Sequence, residues 1–143
     1  MKTKYELLRQ AAAVVDGIPT DDVWLGMWFD DENGDRPGCG LIACAGGWIA
    51  LSPFGESLGL CSINFGKSIV LRQNVFLNSI DSLAVALRLK IKDAEELFAE
   101  RGFSRFDRAI YVNTGWVITD KDLFRARVRA FLMYKGEPLE SDR

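Results

Sequence analysis

The segment at residues 37–55 reads PGCGLIACAGGWIALSPFG and is the one long stretch of the chain without a charged residue. Glycine, serine and proline interrupt it, so its continuous apolar part is too short to cross the ~30 Å hydrocarbon core of a membrane. Residues 40–51 are long enough for three helical turns and are apolar on every face, as in a helix buried inside a domain. The segment therefore predicts a buried central helix, with Gly40, Cys44 and Gly47 forming a seam of small side chains.

Amphipathic patterns elsewhere in the chain predict further elements. Thr3 and Glu6 have the spacing of a capping box at the start of a first helix. Residues 80–89 and 92–100 each carry apolar side chains at helical spacing. Before them, apolar residues on both sides of Gly66 suit a short hairpin.

The C-terminal helix is the best-defined element of the pattern. It is expected to begin at Thr119 or Asp120 and to bury a face made by Phe124, Val128 and Phe131. No internal repeat or linker divides the 143 residues, which is a usual length for one domain. The expected fold class is mainly α: a single-domain helical bundle around the buried central helix, which the short β-hairpin would make α+β.

The charge of the chain is unevenly distributed. The net charge is −2, but residues 16–60 contain eight acidic residues and one basic residue, giving −7. Residues 101–143 contain nine basic and six acidic residues, giving +3. An acidic chain with a pI of about 5.2 argues against a general nucleic-acid binder, so free nucleic acid is not the expected ligand. Patterned charge of this kind suits a protein partner.

The cysteine content indicates a reducing compartment. The three cysteines are an odd number, and the basic N-terminus is followed by an amphipathic stretch rather than an apolar signal core. The expected localisation is cytoplasmic, without a membrane partner.

The sequence lacks the residues of the common catalytic and metal sites. Cys39 at the start of the central helix would have a lowered pKa and a reactive thiolate, but the chain has no histidine to act as its base. The plainer interpretation is that Cys39, Cys44 and Cys61 are small buried residues. Three cysteines without a Cys-x-x-Cys pair also leave zinc short of a fourth ligand. We therefore predict no catalytic residue, no metal and no cofactor.

Two charged stretches are candidate binding surfaces. The first is the acidic loop of Asp30, Asp31 and Asp35, which does not fit a calcium loop because Arg36 and Ile42 occupy positions that need glycine and glutamate. A solvated turn is the simpler interpretation of that loop. The second stretch interleaves arginines with aromatic residues, a mixture that suits a protein interface or base stacking, or else solvated arginines above a core. Its arginines are Arg101, Arg105, Arg108, Arg125 and Arg129.

Residues 39–48, CGLIACAGGW, resemble the Cys-Gly-Thr-x-x-Cys-x-x-Gly-Trp/His signature of small uncharacterised proteins from phages and bacterial mobile elements. Residues 87–91, 94–98 and 121–132 are similar to the later part of those proteins, whereas Leu41 replaces their usual hydroxyl residue. The resemblance implies provenance and carries over no catalytic residue. The positions that carry it are Cys39, Gly40, Cys44, Gly47 and Trp48.

The first functional hypothesis is a non-enzymatic accessory protein of a phage or mobile element that binds a host protein or protein complex. Inhibition of a host defence system, as an anti-CRISPR protein does, is its narrower form. One alternative is a small-ligand-binding or thiol redox module that uses Cys39. Another is an oligomeric structural or assembly factor, for example a homodimer, with an apolar surface around Trp24 and Trp28.

Overall fold

A computed structural model describes residues 3–23, 25, 29–30, 42–43, 45–63, 68–74, 76–115 and 118–134. The helices in this part of the chain are α1 (Lys4–Asp16), α2 (Ala45–Leu51), α3 (Pro53–Ser57), α4 (Ser79–Leu87), α5 (Ile91–Phe98), α6 (Asp107–Thr114) and α7 (Asp120–Tyr134), with a 3-10 turn at Thr20–Asp22. The strands are β1 (Phe29–Asp30), β2 (Ile42–Ala43), β3 (Leu60–Ile63) and β4 (Ser68–Leu71). The predicted mainly α fold with a short hairpin is confirmed. None of the described helices has the length and apolar character needed to span a membrane.

The first and last helices begin where their capping residues predict. The Thr3 hydroxyl accepts a hydrogen bond of 3.2 Å from the backbone N–H of Glu6, which satisfies one free donor at the start of α1. The Thr119 hydroxyl accepts one of 3.2 Å from the backbone N–H of Asp122 at the start of α7. The two helices pack against each other. The predicted inward face of α7 is confirmed, because its three apolar residues are fully buried: Phe124, Val128 and Phe131.

The predicted hairpin is confirmed by β3 and β4, which pair antiparallel from Leu60↔Leu71 to Ile63↔Ser68. Ile69 is completely buried, and its backbone N–H donates a hydrogen bond of 3.0 Å to the hydroxyl of Ser79 at the start of α4. Helix α4 therefore packs across the hairpin. The inward residues predicted for α4 and α5 are buried: Leu83, Ala84, Leu87, Ala94, Leu97 and Phe98.

The predicted central helix is shorter than residues 40–51. The helix observed is α2, which begins at Ala45, and the preceding β2 pairs with β1 at Phe29↔Ala43 and Asp30↔Ile42. The reason is that glycine-rich sequence favours a helix weakly, so pairing with a distant strand decides the backbone of residues 42–43. Helix α2 is nevertheless buried and packs against α1, α3 and β3.

A tight corner joins α2 to α3 at Ser52. The Ser52 hydroxyl donates a hydrogen bond of 2.6 Å to the carbonyl of Ile49 and accepts one of 3.0 Å from the backbone N–H of Gly55. A Cβ atom at Gly55 would lie 2.0 Å from the same Ile49 carbonyl oxygen. Only glycine permits this approach of α3 to α2.

Ser82 on α4 provides a small test of the core. Its hydroxyl is fully buried and has no hydrogen-bond partner in the described part of the chain. Because an unsatisfied buried hydroxyl is unfavourable, Ser82→Ala is expected to raise the free energy of unfolding by about 0.5–1 kcal/mol. Urea denaturation followed by circular dichroism measures this change, and a loss of more than ~1 kcal/mol would show that the hydroxyl is bonded.

Candidate functional site

The predicted acidic patch lies mostly outside the described residues. Asp30 lies in β1, where it pairs with Ile42. Asp31 and Asp35 lie outside the described residues. The acidic patch therefore stays a prediction.

Arg101 holds the turn after α5 against the start of α7. Its Nε donates a hydrogen bond of 2.6 Å to Oδ1 of Asp120, and its Nη2 donates to the carbonyl of Ile118. Oδ2 of Asp120 accepts a hydrogen bond of 2.9 Å from the backbone N–H of Leu25. Burial acts to lower the pKa of Arg101, but the hydrogen bond and charge of Asp120 outweigh it and raise that pKa. Arg101 and Asp120 together therefore connect three segments: the turn after α5, the start of α7 and the backbone at Leu25.

Arg105 ties the loop before α6 to α5. Its Nη2 lies 3.4 Å from Oδ1 of the buried Asp93, and its backbone N–H donates a hydrogen bond of 2.5 Å to Oε2 of Glu96. Its guanidinium lies 5.0 Å from the ring centroid of Phe106. These contacts fix the course of the loop.

Arg125 and Arg129 lie one turn apart on α7 and line a groove of about 450 Å³. Arg125 forms an ion pair with Asp16 at the end of α1, and Arg129 is exposed. The groove is lined also by Thr114, Ile118, Thr119, Asp122 and Ala126. The α7 arginines therefore border a groove that does not include Arg108.

Arg108 lies on the exposed side of α6 beside a second groove, of about 500 Å³. Val112 lies one turn further along the same helix and is 81% exposed, while Phe103 in the preceding loop is 75% exposed. We call Phe103, Arg108 and Val112 the α6 surface. The groove beside it is lined by Gly102, Ser104, Asp107, Arg108, Tyr111 and Val112.

A buried ion pair fixes α6 beneath this surface. Arg127 of α7 donates two hydrogen bonds of 2.7 Å to Asp107 of α6, from Nε to Oδ1 and from Nη2 to Oδ2. Oδ2 of Asp107 also accepts a hydrogen bond of 2.8 Å from the backbone N–H of Gly102. Both charged side chains are almost completely buried. The pair joins the beginning of α6 to the middle of α7.

The same guanidinium binds the end of α5. Its Nη1 donates hydrogen bonds to the carbonyls of Leu97 and Ala99, at 3.3 and 2.6 Å, and its Nη2 donates one of 3.2 Å to the carbonyl of Glu100. All five N–H donors of Arg127 thus have acceptors. A cation at a helix C-terminus is also favoured by the helix dipole.

Neither α6 nor this ion pair was predicted from the sequence, although one signal was present. Arg127 lies four residues after Leu123 and four before Phe131, on the buried side of α7. A charged residue within an apolar stripe requires a buried partner of opposite charge, because an unpaired buried charge is strongly unfavourable. Asp107 is the only acidic residue in the segment 101–119 that precedes α7.

The signature segment has a structural role where the structure describes it. Gly47 is buried in α2, and the indole N–H of Trp48 donates a hydrogen bond of 2.8 Å to the carbonyl of Asp22. Cys39, Gly40 and Cys44 lie outside the described residues, so the glycine seam is not tested beyond Gly47.

Cys39 lies outside the described residues, so its predicted position stays a prediction, and the described helix that follows it, α2, begins at Ala45. The helix dipole argument for its thiolate therefore does not apply to α2. Cys61 lies in β3, is half-buried and forms no disulfide. Within the described ranges, no cluster of acidic and cysteine side chains could hold a metal ion.

Comparison of the chain with protein-family models, curated proteins and solved structures found no match.

Proposed function

We propose that the chain is a non-enzymatic binding protein of a phage or mobile element, and that its α6 surface binds a host protein or protein complex. The observation that carries this proposal is the combination of two large, exposed apolar side chains, Phe103 and Val112, with the exposed cation of Arg108 beside an open groove. Aromatic residues and arginine are enriched at the centres of protein interfaces. Exposed apolar patches with polar rims are typical of such sites.

The rigidity of the surrounding backbone supports the proposal. The loop that carries Phe103 is held by Arg101 on one side and by Arg105 on the other. Helix α6 is held from below by Asp107 and Arg127. A surface that is ordered before binding loses less conformational entropy when a partner arrives, so a small contact can give useful affinity.

The charge at the α6 surface indicates the chemistry of the partner. Arg127 already neutralises Asp107, so Arg108 is left as the exposed charge of the groove. A matching partner segment has an apolar side chain for the groove and a carboxylate for Arg108. The resemblance to phage and mobile-element proteins supports a host complex as the source of that segment, and inhibition of a defence complex as the consequence of binding.

The proposal is tested by immobilising the protein, passing bacterial lysate over it and quantifying the retained proteins by mass spectrometry. The test variant is Phe103→Ala/Arg108→Ala, and the control is Met133→Ala, which removes an exposed apolar side chain near the far end of α7. The wild type and the control are expected to retain one protein or complex in stoichiometric amount. The double variant is expected to bind the purified partner at least ~30-fold more weakly, the effect of losing one interface hot spot.

Two results would contradict the proposal. Equal retention by the wild type and the double variant would show that binding occurs elsewhere on the chain. A captured partner whose affinity is unchanged between low and high salt would contradict the role of Arg108, because exposed charge pairs are screened by salt.

A further inference from the structure

A second exposed apolar side chain lies at the turn between β4 and α4. The side chain of Phe76 is 96% exposed. Its backbone N–H donates a hydrogen bond of 3.2 Å to the side-chain oxygen of Asn74. The backbone N–H of Asn74 donates one of 3.1 Å to the carbonyl of Leu71. These hydrogen bonds hold the backbone of the turn, from which the phenyl ring projects into solvent.

An open groove of about 760 Å³ lies beside this turn. Its wall includes Asn74 and Leu77, which flank Phe76 in the chain, and Val85 of α4, which is 56% exposed. The walls are mainly apolar and come from α1, the end of α3, the turn after β4, and α4. The remaining lining residues are Leu7, Ser57, Leu58, Leu71, Gln73, Ala86 and Arg88.

We infer that a second copy of this chain occupies the groove, and that each copy of a homodimer inserts its Phe76 into the groove of the other. A two-fold interface brings the same patch of both copies together, so it requires a projection and a recess on one face. The turn that carries Phe76 also forms one wall of the groove, so this face has both. A foreign partner would need only one of the two.

The charges on this face also suit pairing with an identical face. Glu56 and Arg72 are next in the chain to residues that line the groove and lie 3.8 Å apart at exposed positions, and Arg88 itself lines the groove. Like charges that meet across an interface repel, so a patch that pairs with itself needs both signs. This face has both signs, unlike the α6 surface, whose exposed charge is Arg108.

Each phenylalanine can bury roughly 150–250 Å² of surface, so two reciprocal insertions supply about a third of the ~1,200 Å² that a specific interface needs. The groove walls around Val85 and Leu77 supply further apolar area. The dimer is thus expected to be of moderate affinity and to depend strongly on Phe76.

Sedimentation equilibrium over a range of protein concentrations tests the inference. The wild type is expected to show a monomer–dimer equilibrium. Phe76→Asp removes the aromatic side chain that inserts, and Val85→Lys places a charged side chain in the wall of the groove. In a homodimer of either variant, both symmetry-related contacts are changed. Each variant is expected to weaken the dimer by about 30-fold per contact. The control, Phe103→Ala/Arg108→Ala, is expected to dimerise like the wild type, which separates this inference from the proposed function.

Mixing the two variants provides the sharper measurement. In a mixed pair, the Phe76 of the Val85→Lys chain meets an intact groove, and the introduced aspartate of the other chain meets the introduced lysine. Fluorescence energy transfer between differently labelled variants is therefore expected to show a heterodimer at concentrations where each variant alone is monomeric. Restored pairing also shows that both variants fold. A strictly monomeric wild type, or a dimer that persists in both variants, would overturn the inference.

Discussion

Replacing Arg127 by methionine is expected to lower the free energy of unfolding by about 3–5 kcal/mol, the usual effect of removing one member of a buried ion pair. The substitution leaves the carboxylate of Asp107 buried without its cation. It also leaves the carbonyls of Leu97, Ala99 and Glu100 without the donors that Arg127 provides. Urea denaturation followed by circular dichroism measures the change.

Arg129→Met is the matched control, since Arg129 is exposed on the same helix and the ion pairs of exposed residues contribute at most ~1 kcal/mol, so its effect is expected to stay below that value. The double variant Asp107→Asn/Arg127→Met removes the buried charge and keeps an acceptor for the N–H of Gly102. It is expected to recover at least ~1 kcal/mol relative to Arg127→Met. Equal stability of Arg127→Met and wild type would show that the ion pair does not hold α5, α6 and α7 together.

Replacing Gly55 by alanine is expected to be the second strongly destabilising change. The added methyl group would meet the backbone of α2, at 2.0 Å from the carbonyl oxygen of Ile49 and 3.0 Å from the Cα of Ala50. Backbone cannot rotate out of the way as a side chain can, so α2 and α3 must separate. The expected loss is about 3 kcal/mol, seen as a fall in Tm of roughly 6–12 °C.

Gly17→Ala is the control for this prediction. Gly17 follows α1 with a φ of −81°, and an added methyl group would lie 3.5 Å from the carbonyl oxygen of Val14, an ordinary contact. Alanine there is expected to leave stability unchanged or to raise it by about 0.4–1 kcal/mol, because it restricts the unfolded chain. Equal melting temperatures for Gly55→Ala and Gly17→Ala would contradict the close approach of α3 to α2.

The elements that could be predicted from the sequence are those whose signals are local. Thr3 and Thr119 are capping residues that determine where α1 and α7 begin. The hairpin was predictable because apolar residues on both sides of Gly66 mark two short strands. In each case, residues within a few positions of one another determine the structure.

The elements that could not be predicted depend on distant partners. Helix α6 begins at Asp107, and the preceding residue, Phe106, provides no side-chain cap. Its first turn is held by Arg127, which lies twenty residues after Asp107 in the chain. The backbone of residues 42–43 is decided by pairing with β1. An uncharged, glycine-rich segment is compatible with a helix or a strand, so composition alone could not place the beginning of α2.

The sequence predicted which segment contains the candidate surface, but not which of its side chains are exposed and which are held in ion pairs. The segment rich in arginine and aromatic residues does contain the α6 surface. Ion pairing then separates arginines that are alike in sequence: Arg101 and Arg105 are bound to α7 and α5, whereas Arg108 is an exposed cation on the same helix as Val112. That distinction cannot be read from the spacing of residues in the sequence. It depends on which carboxylate lies next to each guanidinium group in the folded chain.

The position of Arg127 also has a consequence for the order of events during synthesis. The side chain that fixes the end of α5 and the start of α6 belongs to the last described helix, so those two ends acquire their hydrogen bonds only after α7 has left the ribosome. Chains emerge from the ribosome N-terminus first at about 5–20 residues per second. Any part of the α6 surface that emerges while residue 127 is still inside the ribosome therefore lacks the scaffold that orders it. If the α6 surface binds the proposed partner, that binding is therefore expected only after translation has passed this point.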